Sequence, residues 1–243
     1  MYEVAARKHN IRVKRERLTA EFQLPSLNSD SESKLIFVCS PNNPTGNSID
    51  VSSIESLAAA SKAYIVVDEA YIDFAEPASA LSLIEKYENV IILRTFSKAW
   101  GLAAVRLGYV VARPELIALL CAIKPPYNLG SFAAAIGLKA LNRASAKQAC
   151  VERIVSQRAL LAEQLKQLAI VKKVFPSDAN FLLTQFRSEC DSSEVQQFLR
   201  ARGIIVRNRS ALAGCENCLR ISVGTERQNE SLLLGLAEYI GEK

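Results

Sequence analysis

The chain has 243 residues, of which 49% are hydrophobic and 23% are charged, a balance typical of a globular protein with one large domain, or a large and a small one. No apolar run approaches the roughly 18 residues of a membrane-spanning helix, and the amino-terminal MYEVAARKHN lacks the apolar core of a secretory signal. The net charge of +5 comes from scattered basic residues, which favours small anionic ligands only. We therefore expect a cytoplasmic protein that binds neither membranes nor nucleic acids.

The six cysteines and the single histidine limit the chemistry available to the chain. Cysteines spread through a chain of helix and strand patterns indicate reduced thiols rather than a disulfide framework. Cys215 and Cys218 have a zinc-type spacing, but no second such pair exists, so two incidental cysteines are the better interpretation and we expect no metal site. The lone His9 argues against nucleophilic catalysis by a Ser-His or Cys-His pair.

Four short apolar runs alternate with helix-like stretches in the first half of the chain. The runs are LIFVC at 35–39, YIVV at 64–67, VIIL at 90–93 and LGYVVA at 107–112. VSSIESLAAASK (51–62) predicts a helix behind a capping Asp50, and SALSLIEKY (79–87) predicts a shorter one. Apolar strands joined by helices are typical of an α/β fold, a mostly parallel sheet with helices on both faces. The more polar IRVKRERL (11–18) is a candidate edge strand.

The fourth run differs from the others in its expected direction. The segment between VIIL and LGYVVA is too short for a crossover helix, so we expect the fourth strand to run antiparallel. Arg106, at the start of that strand, then lies at the same sheet edge as Lys98, which follows the third strand.

The second part of the chain predicts a smaller α+β domain. QACVERIVSQRALLAEQLKQL (148–168) is typical of a long amphipathic helix, and strand patterns follow in VKKVF, FLLTQF, IIVRN and LRISVG. SSEVQQFLRARG predicts a helix that ends at Gly203, and TERQ from Thr225 fits a capping box. We divide the chain into a large domain, 1–144, and a small domain, 145–243, with a hinge near PPYNLG or just after it.

Polar side chains follow each of the three parallel strands. SPNNPTG comes after the first strand, DEAY after the second and RTFSK after the third. Ligands bind at the carboxyl ends of strands in open α/β sheets. The side chains expected to meet at this edge are those of Asn43, Asp68, Tyr71, Ser97, Lys98 and, from the antiparallel strand, Arg106.

Each of these residues also has a purely structural explanation. SPNNPTG can be a simple turn, Asp68 can cap the next segment beside a solvated Glu69, and Tyr71 can be half-buried packing. Lys98 can extend from a sheet edge into solvent, and Arg106 can be an ion-pair partner of Asp68. A shared site explains all of these residues at one edge better than a set of separate explanations does.

Pyridoxal phosphate catalysis needs this set of residue types. The aldehyde of the cofactor requires a lysine amine to form a Schiff base, and a buried aspartate keeps the pyridine nitrogen protonated. An asparagine amide and a tyrosine hydroxyl can donate to the ring oxygen. A serine and an arginine can bind the phosphate.

Four motifs of the chain, PNNPTG, VVDEAYIDF, RTFSKAWGLAAVRLGY and LRISVGT, jointly resemble the fold type I, aspartate-aminotransferase-like family. More narrowly they resemble the histidinol-phosphate aminotransferases of histidine biosynthesis. The resemblance runs from about Tyr2 to the last helix. It implies pyridoxal 5'-phosphate as the cofactor, transamination of L-histidinol phosphate with 2-oxoglutarate and glutamate, and a homodimer.

The resemblance assigns catalytic roles to the residues after the second and third strands. It makes Lys98 the Schiff-base lysine and the proton shuttle. Asp68 would pair with the pyridine nitrogen, and Tyr71 and Asn43 with the ring oxygen.

Further roles implied by the resemblance concern phosphate and carboxylate groups. Ser97 and Arg106 would hold the cofactor phosphate, and Arg220 of LRISVGT would bind the glutamate carboxylate or the substrate phosphate. Arg207 of IIVRN would be a second substrate-binding arginine that favours a phosphorylated substrate. Alternatively, Arg207 is a surface charge, since Arg209 in the same RNRS stretch competes for the role.

The resemblance also implies an amino-terminal portion that is not found before Met1. This portion includes a Gly-containing phosphate loop and an aromatic residue that stacks on the cofactor ring. This difference from the family has three explanations: the sequence is a fragment of a longer enzyme, its start is misplaced, or it is a degenerate copy. The intact cofactor residues favour the first two. An aromatic aminotransferase, a threonine-phosphate decarboxylase and a truncated, non-catalytic homologue are the alternative functions.

Overall fold

The computed structural model describes residues 2–25, 33–76 and 78–242, and within them two four-stranded sheets. The first sheet contains, in spatial order, β1 (Leu35–Cys39), β2 (Tyr64–Asp68), β3 (Val90–Thr95) and β4 (Gly108–Val111). The first three strands are parallel to one another, and β4 pairs antiparallel with β3. The antiparallel direction predicted for the fourth strand is therefore confirmed.

Short helices connect these strands and cover one face of the sheet. They are α2 (Val51–Ala60), α3 (Leu83–Lys86) and three 3-10 turns at Ile72–Phe74, Ala80–Ser82 and Ala103–Val105. Ile54 of α2 and Leu83 of α3 pack on Val38, Val67 and Ile92, side chains that alternate along the strands onto one face. Asp50 occupies the predicted cap position of α2, although its side chain makes no cap hydrogen bond.

The amino-terminal segment consists of α1 (Tyr2–Lys8) and an irregular stretch. The prediction of a strand at 11–18 is wrong, because these residues pair with no strand. Charged residues dominate IRVKRERL and would lie on both faces of a strand, so the segment offers no apolar face to bury. Leu18 alone packs against the core.

The second sheet has the spatial order β5-β6-β8-β7 and is antiparallel throughout. Its strands are β5 (Val171–Val174), β6 (Phe181–Phe186), β7 (Arg207–Asn208) and β8 (Cys218–Ser222). The helices that follow β4 in the chain are α4 (Pro114–Ile123), α5 (Ser131–Leu141), α6 (Ala144–Lys166), α7 (Ser192–Ala201) and α8 (Glu226–Gly241). Gly203 has a positive φ of 77° after α7, and Thr225 forms the predicted capping box of α8.

The second sheet has one face under helices and one face toward the first sheet. Leu161, Leu219 and Leu236 belong to the core beneath α6, α7 and α8. On the other face, Phe181 of β6 packs with Tyr71, which follows β2. The strand ends of the first sheet thereby lie beside the second sheet.

Backbone contacts fix the two sheets relative to each other. The guanidinium of Arg158 donates hydrogen bonds of 3.0 Å to the carbonyls of Phe74 and Ala179. The loop after β1 binds Asp178 twice, through Gly46 O and through Ser48 N. Gly46 has a φ of 87°, and a Cβ there would collide with Ser177, so the close approach of the loop requires glycine.

Exposed apolar side chains concentrate on α4, α5 and the segment between them. Ile123 is 79% exposed, Tyr127 97% and Phe132 85%. Gly137 is the one buried residue on the two helices. An apolar surface of this kind is characteristic of an interface. No helix in the described part of the chain is both long and apolar enough to span a membrane.

Candidate functional site

Tyr71 lies at the centre of a cluster formed by three loops and one strand. Asn43 donates from Nδ2 to the Tyr71 hydroxyl at 3.4 Å, and Nζ of Lys98 lies 5.1 Å from the centroid of the Tyr71 ring. Arg220 of β8 donates from Nη1 to Oδ1 of Asn43 at 2.9 Å. Because Arg220 is an obligate donor, its bond leaves the Asn43 amide nitrogen free to donate on the other side.

The loop SPNNPTG holds Asn43 in place through its own hydrogen bonds. The amide of Asn42 donates to Thr45 Oγ1 at 2.8 Å, and Thr45 Oγ1 in turn donates to Asn47 Oδ1 at 2.6 Å. Backbone bonds between Asn42 and Asn47 and between Gly46 and Asn42 close the loop. The loop is thus a turn, and it also presents Asn43 to two residues of the cluster.

Asp68, the last residue of β2, has fixed donors at both carboxylate oxygens. The backbone N–H of Ala70 donates to Oδ1 at 3.0 Å, and the Tyr2 hydroxyl donates to Oδ2 at 2.6 Å. The Tyr2 ring stacks on Phe37 with centroids 4.6 Å apart. Burial, together with Cys39 and Asp68, raises the pKa of Tyr2, so its hydroxyl remains a donor.

Cys39 is the register partner of Asp68 on the neighbouring strand. Burial and the Asp68 charge raise the pKa of the Cys39 thiol to about 11, which keeps it protonated and neutral. Neither Cys39 nor Tyr2 stands out in the sequence as a site residue. Tyr2 carries no sequence signal for this role, since its partner is 66 positions away.

Glu69 is buried, which contradicts the solvated position considered from the sequence. Its side chain is 2% exposed and forms an ion pair of 2.8 Å with Arg94. The Ser79 hydroxyl and the backbone N–H of Ala80 also donate to it, each at 2.8 Å. These bonds to Glu69 therefore hold the DEAY segment in place.

Ser97 and Arg106 flank the end of the β3–β4 ladder. Thr95 pairs with Gly108, and Phe96 N donates to Leu107 O at 3.0 Å, so the ladder ends just before Ser97 on one strand and just after Arg106 on the other. Arg106 has a φ of 58° and is exposed, and its Nη1 donates to Ala103 O. The ion pair between Arg106 and Asp68 considered from the sequence is not formed.

Three arginines lie on the site-facing side of β7 and β8. Arg207 is the register partner of Arg220, so the two side chains share a face. Arg207 is exposed, whereas Nε of Arg220 and Nε of Arg209 are buried and have no partner in the described part of the chain. Burial and the neighbouring Arg209 lower the pKa of Arg220.

The pair Cys215 and Cys218 lies in the core rather than at this cluster. Both thiols are buried and pack with Phe22 and Phe175. Burial raises the pKa of both, that of Cys218 to about 12. All six cysteines are free thiols, and the described residues contain no cluster of three His, Cys, Asp or Glu side chains suited to a metal ion.

A family model of aminotransferase classes I and II matches residues 2–236. The chain belongs to this family. The match confirms the α/β fold class and the prediction of a pyridoxal-phosphate-dependent aminotransferase.

Within this family, the chain is similar to several histidinol-phosphate aminotransferases. The histidinol-phosphate aminotransferase of Cytophaga hutchinsonii is 40% identical over 243 residues, which are 98% of this chain and 69% of that protein. The crystal structure of the histidinol-phosphate aminotransferase from Clostridium acetobutylicum matches with a TM-score of 0.89 and 24% identity, over 100% of this chain and 75% of that one. A structure of the Sinorhizobium meliloti enzyme in complex with pyridoxal-5'-phosphate has a TM-score of 0.77 and 24% identity, over 86% of this chain and 58% of that one.

The residues at the strand ends fit the cofactor of the family. An amine, an amide and a phenol meet there from Lys98, Asn43 and Tyr71, and Asp68 supplies a carboxylate at the end of β2, shortly before Tyr71 in the chain. The amide nitrogen of Asn43 is oriented to donate, since Arg220 binds its oxygen. This is the donor and acceptor set that an aromatic aldehyde with a ring nitrogen and a ring hydroxyl requires.

Proposed function

We propose that the protein is a pyridoxal-phosphate-dependent aminotransferase that moves an amino group between L-histidinol phosphate and the glutamate/2-oxoglutarate pair in histidine biosynthesis. The observation that carries the proposal is the contact of Asn43, Tyr71 and Lys98 at the strand ends, with Arg220 reaching them from β8. The 40% identity to a histidinol-phosphate aminotransferase supports the substrate.

Two side chains would act directly on the reacting part of the cofactor and substrate. When bound, pyridoxal phosphate supplies an aldehyde that condenses with amines and a protonated ring that accepts electrons. The Lys98 amine, 5.1 Å from the centre of the Tyr71 ring, would condense with that aldehyde and later carry the proton between substrate carbon and cofactor. The Asp68 carboxylate, held by Tyr2 and Ala70, would keep a proton on the pyridine nitrogen.

The remaining cofactor contacts would orient the ring and bind its phosphate. Asn43 and Tyr71 would donate to the ring oxygen, and Arg220 keeps the Asn43 amide turned for this bond. Ser97 and Arg106, which flank the end of the β3–β4 ladder, would bind the phosphate. One N–H of the Arg106 guanidinium donates to Ala103 O, and its other N–H groups remain available to phosphate oxygens.

Arg207 and Arg220 would bind the anionic end of each substrate. They are paired across β7 and β8, and Arg220 contacts Asn43 of the cofactor cluster. A substrate that reaches Lys98 would therefore extend its phosphate or carboxylate toward these arginines. A guanidinium matches both anions through paired hydrogen bonds.

We also propose that the protein is a cytoplasmic homodimer. Each chain would consist of a large domain, 1–144, and a small domain, 145–243. The exposed Ile123, Tyr127 and Phe132 support an interface formed by α4, α5 and the segment between them. The two sheets, each with its own core, support the division into two domains.

A substrate panel tests the proposed function. The purified chain, supplied with pyridoxal phosphate and 2-oxoglutarate, is assayed for glutamate formation from histidinol phosphate, phenylalanine and threonine phosphate, with Lys98→Ala as the inactive control. We expect histidinol phosphate to be the preferred donor. Preference for phenylalanine, or loss of carbon dioxide from threonine phosphate, contradicts the substrate assignment; no turnover of any of the three favours a non-catalytic homologue.

A further inference from the structure

Lys147, near the start of α6, contacts the two loops that carry Tyr71 and Lys98. Its Nζ lies 2.8 Å from Oδ1 of Asp73 and 5.3 Å from the centroid of the Trp100 ring. Asp73 comes shortly after Tyr71 in the chain, and Trp100 comes shortly after Lys98. One amine therefore joins the segment after β2 to the segment after β3.

Asp73 belongs to the short turn that begins at Tyr71. This 3-10 turn spans Ile72–Phe74 with Tyr71 at its cap position, and Phe74 N donates to Tyr71 O at 3.0 Å. The side chains of Tyr71 and Phe74 are buried in a cluster that includes Val151 of α6. The position of Asp73 is thus coupled to that of Tyr71 through one hydrogen-bonded turn.

Trp100 belongs to the turn that begins at Lys98. Gly101 N donates to Lys98 O at 2.9 Å and closes a β-turn, and Gly101 has a φ of 68°. The Trp100 ring packs on Phe96 with centroids 5.2 Å apart. A cation is attracted to the face of an indole ring, so Lys147 holds Trp100 and, through the turn, the backbone of Lys98.

The burial of Lys147 distinguishes it from an ordinary surface lysine. Its side chain is 16% exposed, while the adjacent Ala146 and Gln148 are exposed. A shielded ion pair is screened less by salt than a surface pair is. The pair with Asp73 also joins the proposed large domain, 1–144, to the proposed small domain, so α6 holds both loops from the other domain.

We propose that Lys147 is a positioning residue for Lys98 and Tyr71. By holding Asp73 and Trp100, it keeps the Lys98 amine beside the Tyr71 ring, where Nζ lies 5.1 Å from the centroid. The proposal rests on the proposed function, which assigns the reacting amine to Lys98 and a ring-oxygen donor to Tyr71. Small displacements of such groups lower catalytic rates strongly.

The fluorescence of Trp100 tests the contact without cofactor or substrate, since Trp100 is the only tryptophan of the chain. Lys147→Met removes the charge and keeps an unbranched apolar side chain. Acrylamide should then quench Trp100 more strongly, because its turn is no longer held. Lys166→Met, at the opposite end of α6 and in an exposed ion pair, is the matched control and should be quenched like the unaltered chain. Equal quenching of all three chains overturns the proposal.

Cofactor binding and kinetics test the effect on Lys98. Lys147→Met should raise the dissociation constant of pyridoxal phosphate about fivefold, the equivalent of one cation–π contact. It should lower kcat about tenfold or more while KM stays within about twofold, as expected for misplaced reacting groups. Lys147→Arg, which can pair with a carboxylate and stack on an indole, should restore both. A merely structural role would lower the free energy of unfolding and leave these constants unchanged, and that outcome contradicts the proposal.

Asp73→Asn provides a second variant in case Lys147→Met does not fold. It removes the ion pair and leaves Lys147 beside the indole ring. The dissociation constant of pyridoxal phosphate should rise and kcat should fall, as in Lys147→Met. Values equal to those of the unaltered chain overturn the proposal.

The measurements without substrate separate this inference from the proposed function. If histidinol phosphate is not turned over but quenching of Trp100 and cofactor binding depend on Lys147, the proposed function fails and the positioning role stands. If histidinol phosphate is turned over with unchanged constants in Lys147→Met, the proposed function stands and the role of Lys147 is rejected.

Discussion

The Tyr2 hydroxyl donates to Oδ2 of Asp68 at 2.6 Å and so ties α1 to the carboxyl end of β2. The backbone N–H of Ala70 holds the other oxygen at 3.0 Å. Stacking on Phe37 fixes the ring of Tyr2. With a donor at each oxygen, the Asp68 carboxylate keeps one orientation, and its remaining lone pairs are available to a bound ring nitrogen. Tyr2 is therefore a positioning residue for Asp68.

Replacing Tyr2 with phenylalanine tests this role because it removes the hydroxyl and keeps the stacked ring. A hydrogen bond to a charged group contributes about 1.5–3 kcal/mol, so we expect the dissociation constant of pyridoxal phosphate to rise about tenfold. Fluorescence titration measures it. Tyr64→Phe, at the exposed opposite end of β2, is the matched control and should bind normally; equal affinities of the two variants contradict the role of Tyr2.

The ion pair of Glu69 and Arg94 is expected to stabilise the fold rather than to bind the cofactor. Glu69→Ala removes a 2% exposed carboxylate that accepts bonds from Arg94, Ser79 and Ala80. Breaking a buried pair leaves an uncompensated charge and costs about 3–5 kcal/mol. Urea unfolding of the variant should show a loss of this order.

An exposed ion pair provides the control for Glu69. Glu163 and Lys166 pair on the surface of α6 with side chains 68% and 47% exposed. Glu163→Ala should change the free energy of unfolding by less than about 1 kcal/mol, as surface pairs do. Similar losses for Glu69→Ala and Glu163→Ala would show that the pair at Glu69 is not buried as described.

The buried thiol of Cys218 predicts a pH dependence of stability. Its pKa rises from 9.0 to about 12 on folding, so the folded state binds the proton more tightly than the unfolded chain. Its stabilising effect is complete below about pH 9 and is lost as the pH rises toward 12. The free energy of unfolding should therefore fall between about pH 9 and pH 12, and less steeply in Cys218→Ala. Identical slopes for the two chains contradict this assignment.

The exposed apolar side chains of α4 and α5 predict an association surface. Ile123→Asp should convert the proposed dimer into a monomer, because it places a charge in an apolar interface. Sedimentation velocity measures the mass of each species. Leu160→Asp, at a 55% exposed position on α6, should leave the dimer intact. A monomeric unaltered chain, or a dimer that survives Ile123→Asp, contradicts the interface.

The sequence predicted the strands of the first sheet, their directions and the loops that carry Asn43, Tyr71 and Lys98. These features depend on local signals, namely apolar runs, connection lengths and polar residues at strand ends. The structure adds contacts that no local pattern encodes. Tyr2 reaches Asp68 across 66 positions, and Arg209 acquires its place from the pairing of β7 with β8. Contacts between residues this far apart in the chain follow from tertiary packing, which no local sequence pattern records.

The prediction of an edge strand at 11–18 was wrong for a related reason. β-branched residues at alternate positions favoured a strand, yet these residues have no neighbouring strand to pair with in the described fold. A strand requires a partner as well as a propensity. Glu69 shows the reverse case, in which a charge expected in solvent is buried because Arg94 is placed to meet it.

The central claim is that the amine of Lys98 condenses with the cofactor aldehyde. The chain is incubated with pyridoxal phosphate, reduced with borohydride and digested, and the labelled lysine is located by mass spectrometry. We expect the label on Lys98, lost together with the visible absorption in Lys98→Ala, and unchanged in Lys62→Ala, which lies before β2 at the opposite end of the sheet. Label and absorption that persist in Lys98→Ala contradict the account.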